Sequence, residues 1–91
     1  MDKNKIKISI IGLGYVGLPL AIEFGKKYET VGFDIDEDRI KDLVNGNDKT
    51  LEVDNKELIK LLKKNSFKIS GSINEIQDSN VYIITVPTPV D

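Results

Sequence analysis

IIGLGYVGLPLA, Ile10 to Ala21, sets three glycines, Gly12, Gly14 and Gly17, inside an otherwise apolar run. Glycine weakens the interior of a strand or a helix by roughly 0.5–1 kcal/mol relative to alanine. Three of them in so short a stretch mark a turn whose backbone has a task of its own. Before them, Ile6-Lys7-Ile8-Ser9-Ile10-Ile11 alternates and then becomes fully apolar, with the β-branched residues of a buried strand. After them, Val16, Leu20, Ile22 and Phe24 suit a helix packed on a sheet from Tyr15 to about Tyr28, with Pro19 in or near its first turn, where a missing N–H does least harm.

The glycines have the spacing G-x-G-x-x-G between that strand and that helix. In such a turn the first glycine permits a sharp bend, the second lets backbone approach a pyrophosphate closely, and the third lets the helix pack tightly on the strand. The helix N-terminus then offers N–H groups and the positive end of its dipole to the phosphates. A tight turn without a ligand needs the same glycines, so the neighbours have to decide. Thr30-Val31-Gly32-Phe33-Asp34 reads as a second strand ending in an acid. Asp34 falls roughly 20 residues after the first glycine, where a carboxylate can accept hydrogen bonds from adenosine ribose hydroxyls and repel a 2′-phosphate. Its other reading is a capping or solvated loop acid. Asp36 is assigned mainly to capping the next helix. Arg39, one turn into that helix, lies against an adenine or ribose edge, pairs with an acid such as Asp36, or is a solvated side chain.

The rest of the chain continues the alternation. Asp36-Glu37-Asp38 opens a helix with Ile40, Leu43 and Val44 on one face, stopped at Asn45-Gly46. Residues 47 to 53 connect. Asp54 with Glu57 forms an acidic capping box before Leu58, Ile59, Leu61 and Leu62. Phe67-Lys68-Ile69 is a short third strand, and Ser72 with Glu75 opens a short turn of helix. Val81 to Val86 is a continuous apolar strand ended by Pro87-Thr88-Pro89. This order predicts a Rossmann-like, doubly wound α/β fold with a parallel sheet, one domain over residues 1–91 that stops after its fourth strand. The exit Val86-Pro87-Thr88-Pro89 then lies at the carboxyl edge of the sheet, where such folds bind ligands.

Composition narrows the chemistry. The chain has 13 Lys and Arg against 15 Asp and Glu, a net charge of −2, which gives no support to an electrostatically driven nucleic-acid binder. It has no cysteine and no histidine, which removes thiolate metal sites, disulfides and imidazole acid–base chemistry from these 91 residues. No apolar stretch approaches the ~20 residues of a membrane helix, and MDKNK is not followed by a signal-type segment. A cytoplasmic location is expected, with no metal and no membrane partner.

Together, IGLGYVGLPLA, then VGFDID with Arg39 five residues after Asp34, then VPTP, resemble the N-terminal domain of the UDP-glucose/GDP-mannose dehydrogenase family over nearly the whole chain. Members of that family oxidise the C6 alcohol of a nucleotide sugar to a carboxylate in two NAD-dependent steps. Leu18-Pro19-Leu20 and EFGKKYETVGFDI look most like the branch acting on UDP-N-acetylhexosamines for surface polysaccharides. The resemblance implies NAD contacts from Gly12, Leu13, Gly14, Tyr15, Val16, Gly17, Asp34, Ile35 and Arg39, and from the loop Val86, Pro87, Thr88, Pro89 and Val90. It implies no catalytic residue here, because the family's cysteine, lysine and sugar-binding residues lie beyond Asp91. The resemblance therefore identifies a truncated cofactor-binding portion of a homo-oligomeric enzyme acting on a UDP-sugar. Two other readings compete: a stand-alone NAD(H)-sensing regulatory module, and the first half of another NAD-dependent hydroxyacid dehydrogenase. The Val81–Val86 edge, stripped of an outer neighbour, is expected to self-associate.

Overall fold

The computed structural model describes residues 6–47 and 54–85. Four parallel strands, β1 (Lys7–Ile11), β2 (Glu29–Phe33), β3 (Phe67–Ser70) and β4 (Val81–Ile84), form one sheet in the order β3-β2-β1-β4. The helices α1 (Gly17–Gly25), α2 (Glu37–Val44) and α3 (Asn55–Leu62) lie between the strands in sequence, and a 3-10 turn, Ile73–Glu75, precedes β4. The chain runs β1 to β3 in one direction across the sheet and then returns to place β4 on the far side of β1. That reversal sets the carboxyl ends of β1 and β4 side by side, which is where an open α/β sheet leaves a crevice.

Register explains which residues form the core. Ile8 and Ile10 on β1 align with Thr30 and Gly32 on β2, and those with Phe67 and Ile69 on β3. This face receives the helices: Leu18, Ala21 and Ile22 of α1, Leu43 of α2, and Leu58 and Leu61 of α3 close on Ile8, Ile10, Phe67 and Ile69. Full burial of side chains such as Ile10, Leu18 and Leu58 contributes roughly 1.5–3 kcal/mol each. The opposite face carries Ser9, Val31, Phe33 and Lys68. The return segment before β4 is tied to it: Lys68 pairs with Glu75 at 3.0 Å, Ser9 and Ser79 share a hydroxyl hydrogen bond, and Lys7 pairs with Asp78. The Tyr82 hydroxyl donates to the Ile76 carbonyl.

Local signals place the elements with small corrections. The first helix is shorter than the predicted Tyr15–Tyr28. Its N-cap is Val16, and Lys27 and Tyr28 N–H groups turn back onto the Phe24 carbonyl beyond its end. Pro19 falls in its first turn, as expected. Asp36 caps α2 by accepting from the Asp38 and Arg39 N–H groups. Asp54 caps α3 through the Lys56 N–H, but Glu57 does not close a capping box: it pairs with Lys26, tying α3 to the end of α1. Ser72 gives its 3-10 turn no side-chain cap: the Glu75 N–H donates to the Ser72 carbonyl, the Ser72 N–H donates to the Ser70 hydroxyl, and the Glu75 carboxylate pairs with Lys68. The second strand ends at Phe33, so Asp34 sits just beyond it. The fourth ends at Ile84 rather than Val86, which lies outside the described residues.

Candidate functional site

The turn after β1 is built from the sheet outward. Gly12 N–H makes a last ladder hydrogen bond to the Phe33 carbonyl at 2.8 Å, and Gly12 then takes φ of +100°, in the region that side chains disfavour. A Cβ on Gly12 would also overlap the Thr85 carbonyl oxygen, so this glycine is required by the close approach of the β4 exit. A Cβ on Gly17 would overlap the Gly12 carbonyl oxygen, so the start of α1 can press against the turn only with glycine there. Gly14 is different. No neighbouring atom lies within 4 Å of where its Cβ would be, and its φ is outside the left-handed region. The fold gives a reason for the first and third glycines and none for the second.

Asp34 and Arg39 grip this turn from the β2 side. One Asp34 oxygen accepts from the Leu13 N–H at 2.8 Å and the other from the Asp36 N–H at 2.9 Å. Arg39 Nε donates to the Leu13 carbonyl at 2.8 Å. The ion pair with Asp36 that the sequence allowed is therefore not what aims Nε, since Asp36 accepts from the first-turn amides of α2. From the β4 side the Thr85 hydroxyl donates to the Gly12 carbonyl at 2.9 Å and reaches the Ile11 carbonyl at 3.2 Å.

These residues wall a cleft of about 500 Å³ at the carboxyl ends of β1, β2 and β4, a volume typical of small-molecule sites. Gly12, Leu13, Gly14, Tyr15, Val16, Gly17, Asp34, Ile35 and Arg39 all line it. The five loop residues Val86, Pro87, Thr88, Pro89 and Val90 fall outside the described residues. Tyr15, Val16 and Ile35 form an exposed apolar rim, with Ile35 at 86% exposure. The N–H groups of Gly14, Tyr15 and Val16 donate to no backbone oxygen among the described residues, and α1 has no side-chain cap. The positive end of the helix dipole therefore opens on the cleft with donors to spare, which suits a phosphate group. Among the described residues no group of three or more His, Cys, Asp or Glu is placed to hold a metal.

Sequence reasoning missed Thr85, Phe33, Ile84 and Ile11 as cleft residues, and assigned Asp36, which also lines the cleft, mainly to capping. Thr85 had a visible signal: it is the one hydroxyl in the run Ile83-Ile84-Thr85-Val86. Phe33, Ile84 and Ile11 had none, because an apolar residue at a strand end reads the same in a core and in a cleft wall.

Residues 6–91 match the family model described as UDP-glucose/GDP-mannose dehydrogenase family, NAD binding domain. The chain belongs to this family. It is 52% identical over 88 residues to a UDP-N-acetyl-D-glucosamine 6-dehydrogenase of Pseudomonas aeruginosa, covering 94% of this chain and 20% of that protein. Among solved structures it is similar to the UDP-D-ManNAc dehydrogenase of Pyrococcus horikoshii, with a TM-score of 0.83 and 33% identity over 94% of this chain and 21% of that one. It is also similar to a GDP-mannose dehydrogenase of Pseudomonas aeruginosa solved as a ternary complex, with a TM-score of 0.78 and 26% identity over 92% of this chain and 20% of that one. The chain thus spans about a fifth of the length of the relatives it matches. The matched unit is the family's NAD-binding domain, with the Rossmann-like architecture described above, and NAD is its cofactor. No helix among the described residues is long and apolar enough to cross a membrane.

Proposed function

We propose that this chain is the NAD-binding portion of a nucleotide-sugar 6-dehydrogenase, acting on a UDP-N-acetylhexosamine for surface polysaccharide synthesis in the cytoplasm. The observation that carries the reading is Gly14, a glycine with no internal reason to be one, at the mouth of a cleft lined by unused N–H groups. In this reading the NAD diphosphate lies over Gly12 to Gly17, and Asp34 accepts from the adenosine ribose. Tyr15, Val16 and Ile35 cover its apolar parts. When bound, NAD supplies the hydride acceptor; these residues bind and orient it, and the reacting sugar is handled by residues outside this chain. The likeness to a UDP-N-acetyl-D-glucosamine 6-dehydrogenase supports the substrate class, and the family match favours this reading over another hydroxyacid dehydrogenase.

The fold suggests a test sharper than activity. Each Asp34 oxygen already accepts one backbone N–H but has a further lone pair for a ribose hydroxyl. Replacement of the ribose hydroxyl by a 2′-phosphate sets charge against charge. The chain is expected to bind NAD at least tenfold more tightly than NADP, and Asp34→Asn is expected to narrow that ratio. Titration of the isotope-labelled chain with each cofactor, followed by NMR, reads both. Equal wild-type affinities would refute the ribose role of Asp34.

Homo-oligomerisation belongs to the same reading. Among the described residues β4 is a sheet edge with Val81, Tyr82 and Ile84 exposed, and an apolar edge of this kind invites pairing with a second copy. Light scattering is expected to detect dimers or larger species at high concentration. A monomer with fast amide exchange along β4 would contradict it.

A further inference from the structure

Three successive peptide units leave β1; the first two are held on both sides and the third on its carbonyl side. In the Ile11–Gly12 unit the carbonyl accepts from the Thr85 N–H at 2.8 Å and the N–H donates to the Phe33 carbonyl at 2.8 Å. In the Gly12–Leu13 unit the carbonyl accepts from the Thr85 hydroxyl at 2.9 Å, and the N–H donates to Asp34 at 2.8 Å. The sheet has ended by then, and side chains replace the strands as partners. In the Leu13–Gly14 unit the carbonyl accepts from Arg39 Nε at 2.8 Å. Its N–H, on Gly14, has no backbone acceptor among the described residues and belongs to a glycine lining the cleft.

A trans peptide points its carbonyl and its N–H in opposite directions, and no peptide here is cis. Whatever fixes the Leu13 carbonyl therefore fixes the direction of the Gly14 N–H. Rotation of that one unit, which glycine on its far side permits, would exchange a donor for a carbonyl oxygen and turn an anion site into one that repels anions. We propose that Arg39 and Thr85 are positioning residues that lock the two peptides flanking Leu13, so that the Gly14 N–H is held ready for the cofactor's diphosphate. The inference rests on the reading of the cleft as an NAD site, but the lock itself is a property of the chain without cofactor. It gives Arg39 a task distinct from contact with adenine or ribose, and gives Thr85 a task that an apolar residue could not perform.

The test uses the full chain, labelled with 15N and 13C, and four variants. Arg39→Met keeps the stem and removes the donor. Arg39→Lys keeps the charge and moves it one bond beyond the position of Nε. Thr85→Ala removes the hydroxyl, and Thr85→Ser restores it. Without cofactor, Arg39→Met and Thr85→Ala are expected to shift the Leu13 carbonyl and Gly14 amide resonances while those of α3 and β3 stay in place. They are also expected to weaken NAD binding about tenfold, the loss of one charge-assisted or well-aligned hydrogen bond. Thr85→Ser is expected to bind like wild type, and Arg39→Lys to resemble Arg39→Met. Wild-type NAD affinity in both Arg39→Met and Thr85→Ala would overturn the proposal. Weakened affinity with unmoved Leu13 and Gly14 resonances would also overturn it, because the side chains would then act on the cofactor directly. A variant whose α3 and β3 resonances collapse is judged through its partner at the other residue. Should wild type show no NAD-dependent shifts at Gly12 to Gly17, the NAD reading fails, and the resonances of the cofactor-free variants still decide whether the lock exists.

Discussion

β1 and β4 are neighbours in the sheet, and in sequence they look alike: Ile8-Ser9-Ile10-Ile11 against Val81-Tyr82-Ile83-Ile84. Their surroundings differ completely. β1 lies between two strands and under α1, and Ile10 has no exposed surface. β4 has one strand neighbour among the described residues, and Ile84 is 71% exposed. An apolar run therefore says that a strand is meant to be covered, and only topology says by what. The same contrast divides the site. Its β1 and β2 side is held by backbone and side-chain hydrogen bonds at Gly12, Leu13 and Asp34, whereas among the described residues its β4 side meets the turn through Thr85.

Substitutions at closely packed positions of the β1 side should have the largest effects. Gly17→Ala forces a methyl onto the Gly12 carbonyl, which is backbone and cannot step aside. A loss of about 3 kcal/mol in folding stability is expected, measured by urea denaturation; a loss below about 1 kcal/mol would mean that the turn repacks freely. Next come the paired truncations Ile10→Ala and Ile84→Ala. The first empties a fully buried site and should cost about 2–5 kcal/mol. The second removes a mostly exposed side chain and should cost well under about 1 kcal/mol. Comparable losses would show that β4 is covered in solution and that the contrast between the two strands is false.

Much of this is legible in the sequence. The strand–glycine turn–helix unit, the acid at the end of the second strand and the Asp36 cap follow from short-range chemistry, and they stand where the sequence put them. What was not legible is long-range. Glu57 fits a capping box by spacing, yet an exposed lysine from another helix takes it. Ser72 and Glu75 have the same fate: Lys68 on β3 pairs with the carboxylate, and the Ser72 N–H donates to the Ser70 hydroxyl. Arg39 Nε takes a partner that no sequence reading offered, the Leu13 carbonyl, which becomes available only once Gly12 has turned the chain. Thr85 contacts a residue more than 70 positions away, and no local pattern encodes that.

The smallest effect on folding belongs to the most informative substitution. Gly14→Ala adds a methyl to open space at a backbone angle that alanine tolerates, so the reduced entropy of the unfolded chain should leave stability unchanged or raise it by about 0.5 kcal/mol. The same methyl stands where a diphosphate must approach the backbone. Urea denaturation and NAD titration of Gly14→Ala, side by side with wild type, should show a fold at least as stable and an NAD affinity lowered tenfold or more. Unchanged NAD affinity, or a fold destabilised as badly as in Gly17→Ala, would contradict the assignment of Gly14 to the cofactor.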